Sequence, residues 1–97
     1  MDENEFKART KNLAVQVIQL AGTLPRNRAA DIIGSQLVRS ATSVGANYRA
    51  ACRGKSLADV ISKLAIVEEE ADETLYWMEL LIETSMVSRD RLADLMR

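Results

Sequence analysis

From Ser56 to Ser85 the chain runs thirty residues without a glycine or a proline. Within that run Leu57, Ile61, Leu64, Ala71, Leu75, Met78 and Ile82 recur four and three positions apart. This is the period of a helix with one apolar seam, and no strand can present it. At 1.5 Å per residue such a helix is roughly 45 Å long. It buries its seam only against partners of comparable length. Glu68, a carboxylate, stands where the next apolar member of the seam is due.

The remaining chain supplies those partners. A first helix is expected from about Glu5 to Thr23, with Phe6, Leu13, Val17, Leu20 and Leu24 on one seam. The single proline, Pro25, ends it. A second helix is expected from Arg28 to Arg53, capped by Asn27. Its seam is Ile33, Leu37, Ser40, Val44, Asn47 and Ala51, beside a stripe of small residues, Gly34, Ala41, Gly45 and Cys52. Glycine inside a helix costs about 1 kcal/mol against alanine, so a close helix contact is expected there. Gly54 stops this helix, and Ser56 with Asp59 forms a capping-box start to the third. A fourth begins near Ser88 and carries Leu92, Leu95 and Met96 over about ten residues.

The fold class is therefore all-α, an antiparallel up-down-up-down four-helix bundle in one domain, residues 1–97, with a short or truncated fourth helix. Two readings of that short helix stand open. Either the native chain continues beyond Arg97, or a neighbouring subunit completes the layer.

Several classes of chemistry find no residues here. There is no histidine and one cysteine, Cys52. Glu-x-x-His metal sites, ordinary zinc sites and the usual general base are thus absent. No glycine-rich nucleotide loop occurs. Cys52 reads as a small packed residue rather than a reactive thiol. The run Glu68-Glu69-Glu70, with Asp72 and Glu73, reads as a solvated or ion-paired face rather than a cation site. The expectation is a protein without catalytic activity and without cofactor or metal. An acidic start without an apolar stretch, a lone cysteine and no membrane-length apolar run fit a cytoplasmic location and no membrane partner.

Charge is divided along the chain. Residues 1–55 carry nine Lys/Arg against four Asp/Glu, and residues 56–97 carry four against ten, for +5 and −6. On an ideal helical wheel Arg28, Arg39, Arg49 and Arg53 share an arc of about 80° opposite the seam of the second helix. They form a basic stripe roughly 37 Å long, which fits a solvated face, a partner for acidic groups, or a nucleic-acid contact. On the third helix Ile66, Glu73, Trp77 and Leu80 fall on the side away from the chosen seam. This second apolar stripe, holding the only tryptophan, is the expected oligomer interface; the competing reading is a neighbouring helix of the same chain. In an antiparallel hairpin of the second and third helices, Ser40 faces Glu68 or Glu69, Arg39 faces Glu70, and Asn47 faces Ser62. A structural polar network of Arg39, Ser40, Asn47, Glu68 and Glu69 is expected.

The stretch Gln36-Leu37-Val38-Arg39-Ser40-Ala41, followed by Ser43-Val44-Gly45-Ala46-Asn47-Tyr48-Arg49, resembles the central signature of the 23S rRNA intervening-sequence proteins. So does the third-helix run from Lys63 through Trp77 to Leu81. The resemblance covers nearly the whole chain. It implies a bundle that assembles into a ring, a homopentamer, and a likeness to the accessory variability protein of diversity-generating retroelements. That protein forms a basic ring and binds nucleic acid and a reverse transcriptase. The chain departs from the pattern at Ala50, where relatives often carry an acid, and in its shorter fourth helix. The function expected is a structural or adaptor role through self-assembly and partner binding. The alternative is RNA or DNA binding through the basic stripe, linked to rRNA or a reverse transcriptase.

Overall fold

The computed structural model describes residues 2–92. Three long helices and one short one follow in order: α1 Glu3–Ala21, α2 Arg28–Cys52, α3 Leu57–Glu83 and α4 Arg89–Leu92. Each long helix begins at a side-chain oxygen placed to accept an otherwise unpaired backbone N–H. Asp2 accepts from Glu5 N at 2.8 Å, Asn27 from Ala30 N at 2.8 Å, and Ser56 from Asp59 N at 3.1 Å. Asp59 returns the bond by accepting from Lys55 N at 3.3 Å, which brings its carboxylate back across the start of α3.

The helices form an antiparallel bundle measuring 44 × 23 × 18 Å, with α2 packed between α1 and α3. Glycine permits the close approach of α1 to α2. A Cβ on Gly45 would stand 3.3 Å from Thr10 Oγ1, and one on Gly34 would meet Leu24 Cδ1 at 2.9 Å. The turn after α3 is closed by two backbone bonds to Leu81 O, from Met86 N and Val87 N. Ser85 adopts a left-handed φ of 61° there.

The core lies at the end of the bundle where α1 finishes, α2 begins and α3 finishes. Val17, Leu20, Leu37, Ala41, Met78, Leu81, Val87 and Leu92 pack together there, flanked by Leu13, Leu24, Ile33 and Trp77. The seams expected for α1 and α2 supply Val17, Leu20 and Leu37 to it, with Leu13, Leu24 and Ile33 packed beside them. The seam expected for α3 does so only at its C-terminal end, where Met78 is buried and Ile82 packs against the core. Leu57 is 76% exposed, Ile61 57%, Leu64 43% and Leu75 37%, and α3 instead buries Val67, Thr74, Met78 and Leu81. The correction has a physical cause. α3 carries apolar residues on two sides, and α2 takes the side containing Val67 and Leu81. The other side has no neighbour among the described residues, because only four residues of α4 are described. Leu95 and Met96, assigned to the fourth helix from the sequence, lie outside the described residues.

Candidate functional site

No cluster of histidine, cysteine, aspartate or glutamate able to hold a metal exists among the described residues. Among the described residues no helix is long and apolar enough to cross a membrane. The features that remain are a polar junction between α2 and α3, the exposed side of α3, and the basic stripe.

The junction is centred on Arg39, one α2 residue whose fork reaches two turns of α3. Nη1 donates to Glu70 Oε2 at 2.9 Å, Nη2 donates to Glu73 Oε1, and Nε donates to Gln36 Oε1 at 3.1 Å. Glu73 Oε1 also accepts from the Trp77 indole at 3.2 Å. The planar guanidinium, with its five donors, is suited to bridge two carboxylates one helical turn apart. Trp77 is fixed from two sides, by Glu73 and by an edge contact with Tyr76 at 5.1 Å between ring centroids. Below this surface layer the Ser40 and Thr74 hydroxyls lie 3.0 Å apart, and Thr74 Oγ1 is 2.7 Å from Glu70 O. Both residues are buried, and among the described residues no buried side-chain nitrogen or oxygen lacks a partner.

This arrangement revises the expected polar network. Arg39 does meet Glu70, but Ser40 meets Thr74 rather than Glu68 or Glu69, both of which are exposed. Asn47 donates to Ser43 O at 2.9 Å and to Ser43 Oγ at 2.8 Å, within its own helix, and not to Ser62. The rotation of α3 that exposes Leu57 and Ile61 also swings Glu68 outward and Thr74 inward. Thr74 was legible only as a hydroxyl 34 positions from Ser40, a weak signal until the rotation of α3 is known.

Arg39 holds Glu73 below the usual carboxylate range, assisted by the Trp77 indole. A depressed folded-state value contributes stability that is present above the ordinary glutamate range and is lost as pH falls through the folded value. Replacing Glu73 by Gln keeps an acceptor for Trp77 but removes the charge. The stability gap between parent and Glu73→Gln, read by urea unfolding, is therefore expected to be widest near neutrality. It should narrow as pH drops below about 4. A gap that stays constant down to pH 3 would show that the charge of Glu73 contributes nothing.

The residues expected at an oligomer interface are turned partly inward. Ile66, Glu73, Trp77 and Leu80 are all half-buried within the chain, and Trp77 packs against the core. What α3 leaves in solvent is the row Leu57, Ile61, Leu64 and Leu75, with Tyr76 beside it. Of the basic stripe, Arg28, Arg49 and Arg53 are exposed, and Arg39 is exposed yet engaged with two glutamates. Cys52 is half-buried next to Tyr48, whose phenol is pushed up by burial and by the thiol. Tyr48 itself stacks edge-on against Phe6 of α1 at 4.5 Å.

Comparison with known proteins gives a family and similar solved structures. The family model for the 23S rRNA-intervening sequence protein matches residues 2–97. A crystal structure of a protein of unknown function from the S23 ribosomal protein family of Bacteroides thetaiotaomicron VPI-5482 superposes with a TM-score of 0.91 at 38% sequence identity. The match covers 99% of this chain and 86% of that one. No curated protein matches the sequence.

Proposed function

The chain belongs to the 23S rRNA-intervening sequence protein family, and from that premise we propose that it is a non-catalytic adaptor acting through self-assembly and partner binding. The observation that carries this reading is the apolar row of α3. Leu57, Ile61, Leu64 and Leu75 lie along roughly 27 Å of one helix face and remain 37–76% exposed. An apolar row of that length, broken by Glu68, marks a surface that a further helix or a second chain would cover. A homopentameric ring in the cytoplasm is the form this proposal takes, and its test is particle mass by light scattering over a range of concentrations. A parent protein that remains monomeric at the highest concentration would overturn it.

One observation favours the second reading, nucleic-acid binding. Arg28, Arg49 and Arg53 are exposed on α2, and exposed cations along one helix can track phosphates. If they do, Arg49→Ala with Arg53→Ala should weaken binding of a mixed-sequence RNA at low salt. The slope of affinity against salt should also flatten by roughly one unit per lost phosphate contact. An unchanged slope removes this reading.

A further inference from the structure

Residues 6–58 carry nine Lys/Arg and a single acid, Asp31. Most of this stretch is α1 and α2, and their outer side is not smooth. An open groove of about 290 Å³ runs between them, lined in part by Thr10, Lys11, Ala14, Gly45, Ala46 and Arg49. It is a groove because small residues stand where the helices approach, Gly45 lying against Thr10. A second depression, lined in part by Leu24, Asp31, Gly34 and Val38, continues the same line. From Asp31 to Arg49 the two together follow roughly 27 Å of α2. Ile18, one turn along α1 from Ala14, is 52% exposed beside this line.

The chain's own fourth helix enters on another side. Leu92 is buried in the core cluster with Leu37, and Thr42 and Arg49 of the groove lie about 120–140° around α2 from Leu37. Two cations face each other across the groove, Lys11 on α1 and Arg49 on α2. Both are exposed, and neither enters an ion pair among the described residues, whereas Lys7, one turn before, is paired with Glu3 at 3.6 Å. At the far end the exposed charges are mixed, Arg26 and Asp31.

Resting on the partner-binding part of the proposed function, we propose that this outer groove receives an acidic amphipathic helix of another protein. Two antiparallel helices with a small-residue line between them offer a third helix a seat for one apolar side. The unpaired cations then take carboxylates of that helix, and their place at one end sets its direction. A nucleic-acid strand fits the floor less well. Among the described residues no aromatic ring lines it on which a base could stack, and phosphates gain nothing from alanine, glycine and valine.

Defined peptides test this with the full chain. Three labelled peptides of about 18 residues match the groove length. One has leucines at three- and four-residue spacing with glutamate on its polar side, one has lysine for glutamate, and one has serine for leucine in the acidic sequence. Fluorescence anisotropy at low salt should show binding of the acidic leucine peptide alone. Lys11→Glu with Arg49→Glu should weaken that binding at least about tenfold and transfer preference to the lysine peptide. Ala46→Gln, which fills the floor and keeps both cations, should weaken it severalfold. All three positions are exposed, and thermal unfolding by circular dichroism verifies that each variant folds. Folded variants that bind like the parent, or a serine peptide that binds as well, overturn the groove while partner binding stands. A mixed-sequence RNA that binds more tightly than the acidic peptide and is lost in the same charge variant assigns the cations to phosphates and overturns the helix. A parent that binds no peptide up to about 100 µM overturns the proposal, and light scattering on the same samples reports separately whether self-assembly holds.

Discussion

Truncating Leu81 to alanine is expected to destabilise the fold by about 3 kcal/mol, while the same truncation at Ile61 should cost less than about 1 kcal/mol. Leu81 is fully buried in α3 and packs in the cluster that joins α1, α2 and the segment after α3. Removing its branched end leaves a cavity bounded by groups from four parts of the chain, and so many anchored walls relax poorly. Ile61, in contrast, is 57% exposed, and water replaces most of what its side chain loses. In a domain of this size each kcal/mol shifts the melting temperature by roughly 4–8 °C, so the Leu81→Ala chain should melt 10–20 °C below the parent. The comparison should be made by denaturant unfolding in dilute protein, below the onset of assembly. Equal losses at the two positions would mean that α3 is rotated from the orientation described, with the seam through Leu57, Ile61 and Leu75 facing inward.

That rotation marks the boundary of what the sequence discloses. The helices, their caps at Asn27 and Ser56, and the break at Pro25 follow from local chemistry that acts within a few residues. The seam of α2 is legible because its apolar side lies opposite an arginine-bearing side, and that of α1 because Leu13, Val17, Leu20 and Leu24 keep one helical spacing. α3 is different. Its four-three alternation through Leu57, Ile61, Leu64, Leu75 and Met78 is the more regular pattern, yet of these only Met78 is buried, and Val67, Thr74 and Leu81 complete the buried side. Periodicity identifies an apolar face but not which of two apolar faces a neighbour occupies. The choice depends on tertiary partners: Arg39 reaching Glu70 and Glu73, and Ser40 meeting Thr74. The Arg39–Glu70 pairing was accessible from the hairpin register alone, since both lie at the middle of neighbouring antiparallel helices. The Ser40–Thr74 contact was not, because a threonine on a helix reads equally well as core or surface. Similarly, the tryptophan drew attention as an exposed anchor, although its indole is held by Glu73 and its ring lies against the core.

Replacing Ile61 and Leu64 together by aspartate should leave the fold intact and abolish assembly. These two side chains are 57% and 43% exposed in the isolated chain, so their loss removes little intramolecular packing. In an assembled particle the same side chains leave water, and burying each aliphatic side chain contributes about 1.5–3 kcal/mol. Discounting for the partial burial already present, losing both should weaken association by roughly 100-fold or more. The two added carboxylates stand on a helix that already carries Glu68, Asp72 and Glu79, which raises the electrostatic cost further at low salt. Light scattering should then report a monomer at concentrations where the parent is multimeric, with an unchanged melting curve in dilute solution. Trp77→Ala is the informative counterpart. Because the indole lies against the core and bonds to Glu73, that change should lower the melting temperature of the isolated chain first. Any loss of assembly should follow from the loss of fold. If Trp77→Ala dissociates a particle whose subunits keep their stability, while Ile61→Asp with Leu64→Asp leaves its mass unchanged, the contact surface lies on the Trp77 side of α3 and the exposed row is not the interface.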